Sequence, residues 1–150
     1  MHKKTNEEFH ASDQQHYLQT FRRYPIVLEK GQGSRVWDVE GNEYIDLLAG
    51  IAVNSVGHNH PVLVEAITQQ ASKLIHISNF YVSEPQVKLS EKLTRLASLD
   101  RVFFANSGAE SNEGAFKLAR KYAHSIGRGG DIISFKGSFH GRTLATIATG

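Results

Sequence analysis

The sequence predicts an α/β protein, and three observations predict it. A short uninterrupted apolar run, VFFA at 102–105, and a second strand candidate, IISF at 132–135, flank a helical pattern, as parallel strands buried on both faces do when a crossover helix joins them. Three β-prone runs, IVLEK, RVWDV and EYIDL, are separated by GQGS and EGN, which are turn compositions. Between these runs lie segments with apolar residues at helical spacing.

Taken in order, residues 1–24 are polar and rich in His and Gln, with scattered aromatics at Phe9, Tyr17, Phe21 and Tyr24. They predict an arm or short helix that packs on something larger. Residues 26–46 predict a three-stranded antiparallel meander. The next stretch, LLAGIAVNSVGHNHP, is apolar and punctuated by glycine. Pro61 then suits the first turn of a helix, where its missing N–H would have had no partner. That helix is expected to reach about His76, with Leu63, Ile67, Ala71 and Leu74 on the face that meets a core. Ser83 and Gln86 predict a capping box for a further helix ending near Ser98, with Leu89, Leu93 and Leu96 inward.

After the strand at 102–105, NSGAE follows at once, and Ser107 with Glu110 predicts a second capping box. Ala115, Leu118, Ala119, Tyr122, Ala123 and Ile126 trace the helix stripe, which stops at Gly127. With IISF, residues 102–135 read as one right-handed βαβ unit. The expected organisation is an arm and meander over 1–56, part of a small domain, and the incomplete start of a large α/β domain over 57–150.

Composition narrows the function classes. Lys and Arg total 17 against 15 Asp and Glu, with no long block of either sign, so neither a nucleic-acid groove nor a polybasic membrane anchor is expected. No cysteine is present, which excludes disulfides, thiolate metal sites and thiol nucleophiles and suits a reducing, cytoplasmic setting. The opening MHKKTNEEFH lacks the apolar stretch of a secretory signal, and LLAGIAV at 47–53 is too short to cross a bilayer. A soluble protein is expected.

In a βαβ unit, ligands bind outside the carboxyl ends of the strands, where helix N-termini open. Two loops meet that condition. Around Asn106, Ser107, Gly108 and Ala109, small residues let backbone approach an anion, and free N–H groups at the positive helix end favour phosphate. In KGSFHGRT, Phe139 offers a flat apolar ring and Arg142 a guanidinium that grips a carboxylate bidentately. Together they describe a site for a phosphorylated aromatic cofactor and a carboxylate-bearing substrate. Each residue also has a plain structural reading: Ser107 as a helix cap, Phe139 as a core aromatic, Arg142 as a solvated side chain. His58 and His60 in GHNHP read as turn supports, and no metal site is expected. His140 could serve either a cofactor or the backbone.

At these residues the sequence resembles the class III pyridoxal-phosphate-dependent aminotransferases, most closely the acetylornithine and succinylornithine branch. The resemblance runs from about Tyr24 onward and rests on KGQGSRVWDVEGNEYIDLLAGIAVNSVGHNHP, HISN, FFANSGAESNEGAFKLARKYA and SFHGRT, in that order. It implies a fold-type-I enzyme, of which this chain would be the amino-terminal segment plus the start of the large parallel-sheet domain. It further implies that Gly108 and Ala109 hold the phosphate of pyridoxal 5'-phosphate, with Ser107 as cap and extra donor. Phe139 would stack on the pyridine ring, and Arg142 would bind the substrate carboxylate. Ser111-Asn112 departs from the AxN or AN common in relatives, a change expected to affect a helix turn rather than a ligand contact.

The implied activity is ping-pong transfer of the amino group of N2-acetylornithine to 2-oxoglutarate, in arginine biosynthesis, by a homodimer with its sites at the subunit interface. The Schiff-base lysine and the aspartate facing the pyridinium nitrogen are expected past residue 150, so no catalytic residue is assigned within this chain. Lys117 and Lys136 read as a helix-surface and a strand-end charge. Competing expectations are a class III enzyme acting on ornithine, succinylornithine or 4-aminobutyrate, and a non-catalytic module that binds a phosphate ligand.

Overall fold

The computed structural model describes residues 3–150. Thr5 opens the first helix, α1 (Asn6–His16), through a reciprocal cap. Glu8 N donates to Thr5 Oγ1 at 3.2 Å, and Thr5 N donates to Glu8 Oε2 at 2.8 Å, so two N–H groups that no helical carbonyl can reach are satisfied. The expected meander follows as β1 (Leu28–Gln32), β2 (Arg35–Asp38) and β3 (Glu43–Ile45), paired antiparallel in the order β1-β2-β3. Gly41 makes the β2–β3 turn at φ +90°, a conformation that a β-carbon disfavours.

Asp38, at the end of β2, organises this region. Its side chain is fully buried, beside the buried Val36 and Val39. Asp38 Oδ2 accepts from Asn6 Nδ2, Asn42 Nδ2 and Tyr44 Oη at 2.9 Å each, and Oδ1 accepts from Asn42 N at 2.8 Å and Glu40 N at 3.0 Å. Burial pushes the carboxyl up, but the bonds from Asn42, Asn6 and Tyr44 outweigh it and hold Asp38 well below the usual carboxylate range.

Beyond β3 the chain makes a single turn, α2 (Ala49–Ala52), in left-handed conformation, with Gly50 at φ +64° and Ile51 at φ +62°. Asp46 steadies its start by accepting from Ala49 N at 2.8 Å and Leu48 N at 3.0 Å. Its other oxygen lies 2.7 Å from His58 Nε2. The Ala49 bond and the His58 ring hold the Asp46 carboxyl below its ordinary value. His58 also bridges to Gly33 through backbone bonds of 2.8 and 2.9 Å. It therefore supports a turn, and no cluster of three or more potential metal ligands occurs among the described residues. Pro61 stands at the first position of α3 (Pro61–Lys73), which ends a few residues before the expected His76.

The chain divides into two compact units, Met1–Ser78 and Asn79–Gly150. The meander and α3 lie within the first of these units. The second unit holds α4 (Glu84–Leu96), α5 (Gly108–Ser125) and α6 (Leu144–Ala148). Ser83 caps α4 by position only: its side chain makes no cap bond, and the capping box expected with Gln86 is not formed. Pro85, in the first turn, has no N–H that needs capping.

Two expectations change here. Residues 102–105 and 132–135 carry no strand pairing, so neither is a strand and the βαβ unit is present only as its helix and two flanking segments. A strand requires a hydrogen-bonded partner, and these two segments do not pair with each other. The apolar stripes expected to meet a core, among them Leu63 and Ile67 on α3 and Leu118 and Tyr122 on α5, remain exposed.

Candidate functional site

The site is built on the N-terminus of α5. Ser107, in extended conformation, caps the helix: its Oγ accepts from Glu110 N at 3.2 Å. The reciprocal half of the expected capping box is displaced by one residue, because Glu110 Oε2 accepts from Asn106 N at 2.6 Å. The first helical carbonyl bond runs from Ser111 N to Ser107 O at 3.0 Å. The N–H groups of Gly108 and Ala109 therefore lie ahead of any helical acceptor, at the positive end of an 18-residue helix. At Gly108 an added β-carbon would meet no atom within 4 Å.

The segment from Phe139 to Thr143 lies directly against this helix end. Asn112 Nδ2 donates to His140 O at 2.7 Å, and Thr143 Oγ1 donates to Glu113 Oε1 at 2.5 Å. Between those two bonds, Gly141 (φ +135°) presses on Ala109 so tightly that a β-carbon would lie 2.6 Å from Ala109 Cβ and 2.8 Å from Thr146 Oγ1. Thr146 is fully buried. Its hydroxyl accepts from Thr143 N at 2.9 Å, which closes the cap of α6 beneath the same segment.

The result is a pocket of about 360 Å³ lined by Ser107, Gly108, Ala109, Asn112 and the run Phe139–Arg142. Phe139 is 75% exposed, and the Arg142 guanidinium sits 5.4 Å from its ring centroid, within cation–π range. His140 Nε2 is enclosed without a hydrogen-bond partner. All five residues expected at a binding site, Ser107, Gly108, Ala109, Phe139 and Arg142, thus border one cavity. No lysine lines it.

Sequence reasoning missed Asn112 and Gly141. The signal for Asn112 was its position four residues after Gly108, on the same helix face as the anion cup. The expectation that Ser111-Asn112 concerned only a helix turn needs correction, since Asn112 bonds across to His140 O. Gly141 carried no sequence signal, because its contact is with Ala109, distant in the chain.

The chain is 56% identical over 138 residues to the acetylornithine aminotransferase of Methanocaldococcus jannaschii, an alignment covering 91% of this chain and 35% of that protein. Among solved structures, the N-acetylornithine aminotransferase of Stenotrophomonas maltophilia K279a superposes with a TM-score of 0.76 at 51% identity, over 87% of this chain and 35% of that one. The ornithine aminotransferase of Toxoplasma gondii, solved with partial occupancy of PLP at its active site, superposes with a TM-score of 0.86 at 35% identity, over 95% of this chain and 34% of that one. The chain therefore spans about a third of the length of the relatives it matches. The sequence profile of the aminotransferase class-III family matches residues 17–150, a span that holds the meander, the helix cup and the Phe139–Thr143 segment together, and the chain belongs to that family.

Proposed function

We propose that this chain forms the cofactor-phosphate and substrate-carboxylate side of an acetylornithine aminotransferase, which moves the amino group of N2-acetylornithine to 2-oxoglutarate in arginine biosynthesis. The observation that carries this reading is the single pocket in which an open helix N-terminus faces an exposed aromatic ring and a guanidinium. The residues present suit pyridoxal 5'-phosphate. Two uncommitted N–H groups and the helix dipole suit its phosphate, and the open space over Gly108 leaves room for it. Once bound, the cofactor supplies an electron-withdrawing ring that carries the amino group between substrates.

The roles of this chain's own residues follow. Ser107 fixes the helix start and leaves the Gly108 and Ala109 N–H groups to bind phosphate. Phe139 presents a flat apolar face that orients the ring and keeps water from one side of it. Arg142 offers two parallel N–H donors to a substrate carboxylate. With no lysine lining the pocket, the amine that anchors the cofactor and moves the proton comes from another part of the complete enzyme. The preference for acetylornithine over ornithine rests on the higher identity to acetylornithine enzymes, 56% and 51% against 35%. A cytoplasmic homodimer is part of the same proposal, and the dimer is supported by uncovered apolar side chains such as Leu47 in the first unit and Ile133 in the second.

The test is Arg142→Ala in the complete enzyme. Loss of a charge-assisted contact worth about 1.5–3 kcal/mol should raise the KM for acetylornithine on the order of tenfold to a hundredfold while cofactor affinity changes little. An unchanged KM would remove Arg142 from the substrate site. A wild-type enzyme that shows no bound-cofactor absorbance would remove the whole reading.

A further inference from the structure

Two side chains on consecutive residues of α5 bracket the segment that carries Phe139 and Arg142. Asn112 holds its entry at His140 O, and Glu113 holds its exit at the Thr143 hydroxyl. Gly141 touches Ala109 between them. The segment is thereby seated at three points on the same two helical turns that form the anion cup. Arg142 lies between the Gly141 contact and the Glu113–Thr143 bond, so its backbone is fixed on both sides relative to Gly108 and Ala109.

We propose that Glu113, acting through Thr143, is a positioning residue for Arg142: the bond sets the separation between the anion cup and the guanidinium, and so the fit of a carboxylate-bearing substrate to a cofactor held by its phosphate. This inference rests on the functional reading above. The acceptor is an ionisable carboxylate and the bond spans 30 residues of chain, so it is a stronger and less local tie than a cap bond. Thr143 has a second duty as the cap of α6, which Glu113 does not share. That difference makes the proposal separable from a purely structural role.

The experiment compares Glu113→Ala, Thr143→Val, Thr143→Ser and the Glu113→Ala/Thr143→Val double variant in the complete enzyme. It measures KM and kcat for the amino donor, cofactor affinity by absorbance titration, and thermal melting. Glu113→Ala and Thr143→Val should each raise donor KM by about tenfold, with cofactor affinity within about twofold of wild type. The double variant should be no worse than Thr143→Val, because the Glu113–Thr143 bond is already absent there. Thr143→Ser keeps the hydroxyl and should stay close to wild type. A rise in KM for Thr143→Val alone, or additive effects in the double variant, would overturn the proposal in favour of capping. Arg142→Ala runs as a parallel arm: if it raises KM and Glu113→Ala does not, the positioning role fails while the site stands. If Arg142→Ala also leaves KM unchanged, the site reading has failed and the positioning role falls with it.

Discussion

Gly141 and Ala109 touch so closely that the backbone of one loop occupies the space a side chain would take against the other, with only 2.6 Å between Ala109 Cβ and the place where a β-carbon at 141 would stand. Both neighbours on the other side of that gap, Ala109 Cα and the Thr146 hydroxyl, belong to packed elements that cannot rotate away.

Gly141→Ala should therefore push the Phe139–Arg142 segment off the helix end. Overpacking of this kind costs about 1–3 kcal/mol, and the φ of +135° adds strain for any residue with a β-carbon. Expected outcomes in the complete enzyme are a lowered melting temperature together with a raised KM for the amino donor. A crystal structure of the variant with residues 139–142 unmoved would contradict the argument.

Gly108→Val should behave in the opposite way. Nothing in this chain lies within 4 Å of a β-carbon at 108, so the fold should tolerate the side chain and melting should be nearly unchanged. On the proposed reading the valine would meet the cofactor phosphate, so cofactor affinity should fall at least about tenfold. Full cofactor occupancy in the variant, read from absorbance, would place the anion cup elsewhere.

A third prediction concerns acid sensitivity of the meander unit. The folded-state pKa of Asp38 lies below its unfolded value of about 3.9, so the unfolded chain binds the proton more readily. Its contribution to stability is full above about pH 4 and is lost as pH falls from there toward the folded pKa. Asp46 is shifted in the same direction, so its contribution is likewise lost as pH falls. Asp38→Asn should lower stability at neutral pH, since an amide cannot accept from all five donors, and should flatten the decline in acid. Unfolding followed through Trp37 fluorescence, compared at pH 7 and pH 3, reads both effects. Equal acid slopes in the two proteins would show that Asp38 is not the titrating group.

The sequence made some of this legible and not the rest, for identifiable reasons. The meander could be read because its turns are chemically explicit, GQGS and EGN, and because its pairing is between neighbours in the chain. The α5 cap at Ser107 was equally local. The strands at 102–105 and 132–135 were inferred from apolar composition, but strand formation depends on a partner that composition does not supply. At the site, residue types with their own chemistry, Phe139 and Arg142, could be nominated in advance. Asn112, Gly141 and the Glu113–Thr143 bond could not, because their roles arise from contacts between segments about thirty residues apart, as the separations of 28 and 30 residues for the two hydrogen bonds show.

The family profile begins at residue 17, yet the molecule is stitched together well before that point. Asn6 reaches from α1 to three places at once: its side chain donates to Asp38 and Glu40 and accepts from Val27 N at 2.7 Å. A line drawn where the profile starts would thus cut through a knot rather than a tail. Anyone cropping the protein to the span of that profile would leave Val27 without the Asn6 acceptor and Asp38 with one donor fewer, and would then meet a meander that had lost a fastening lying outside the profile.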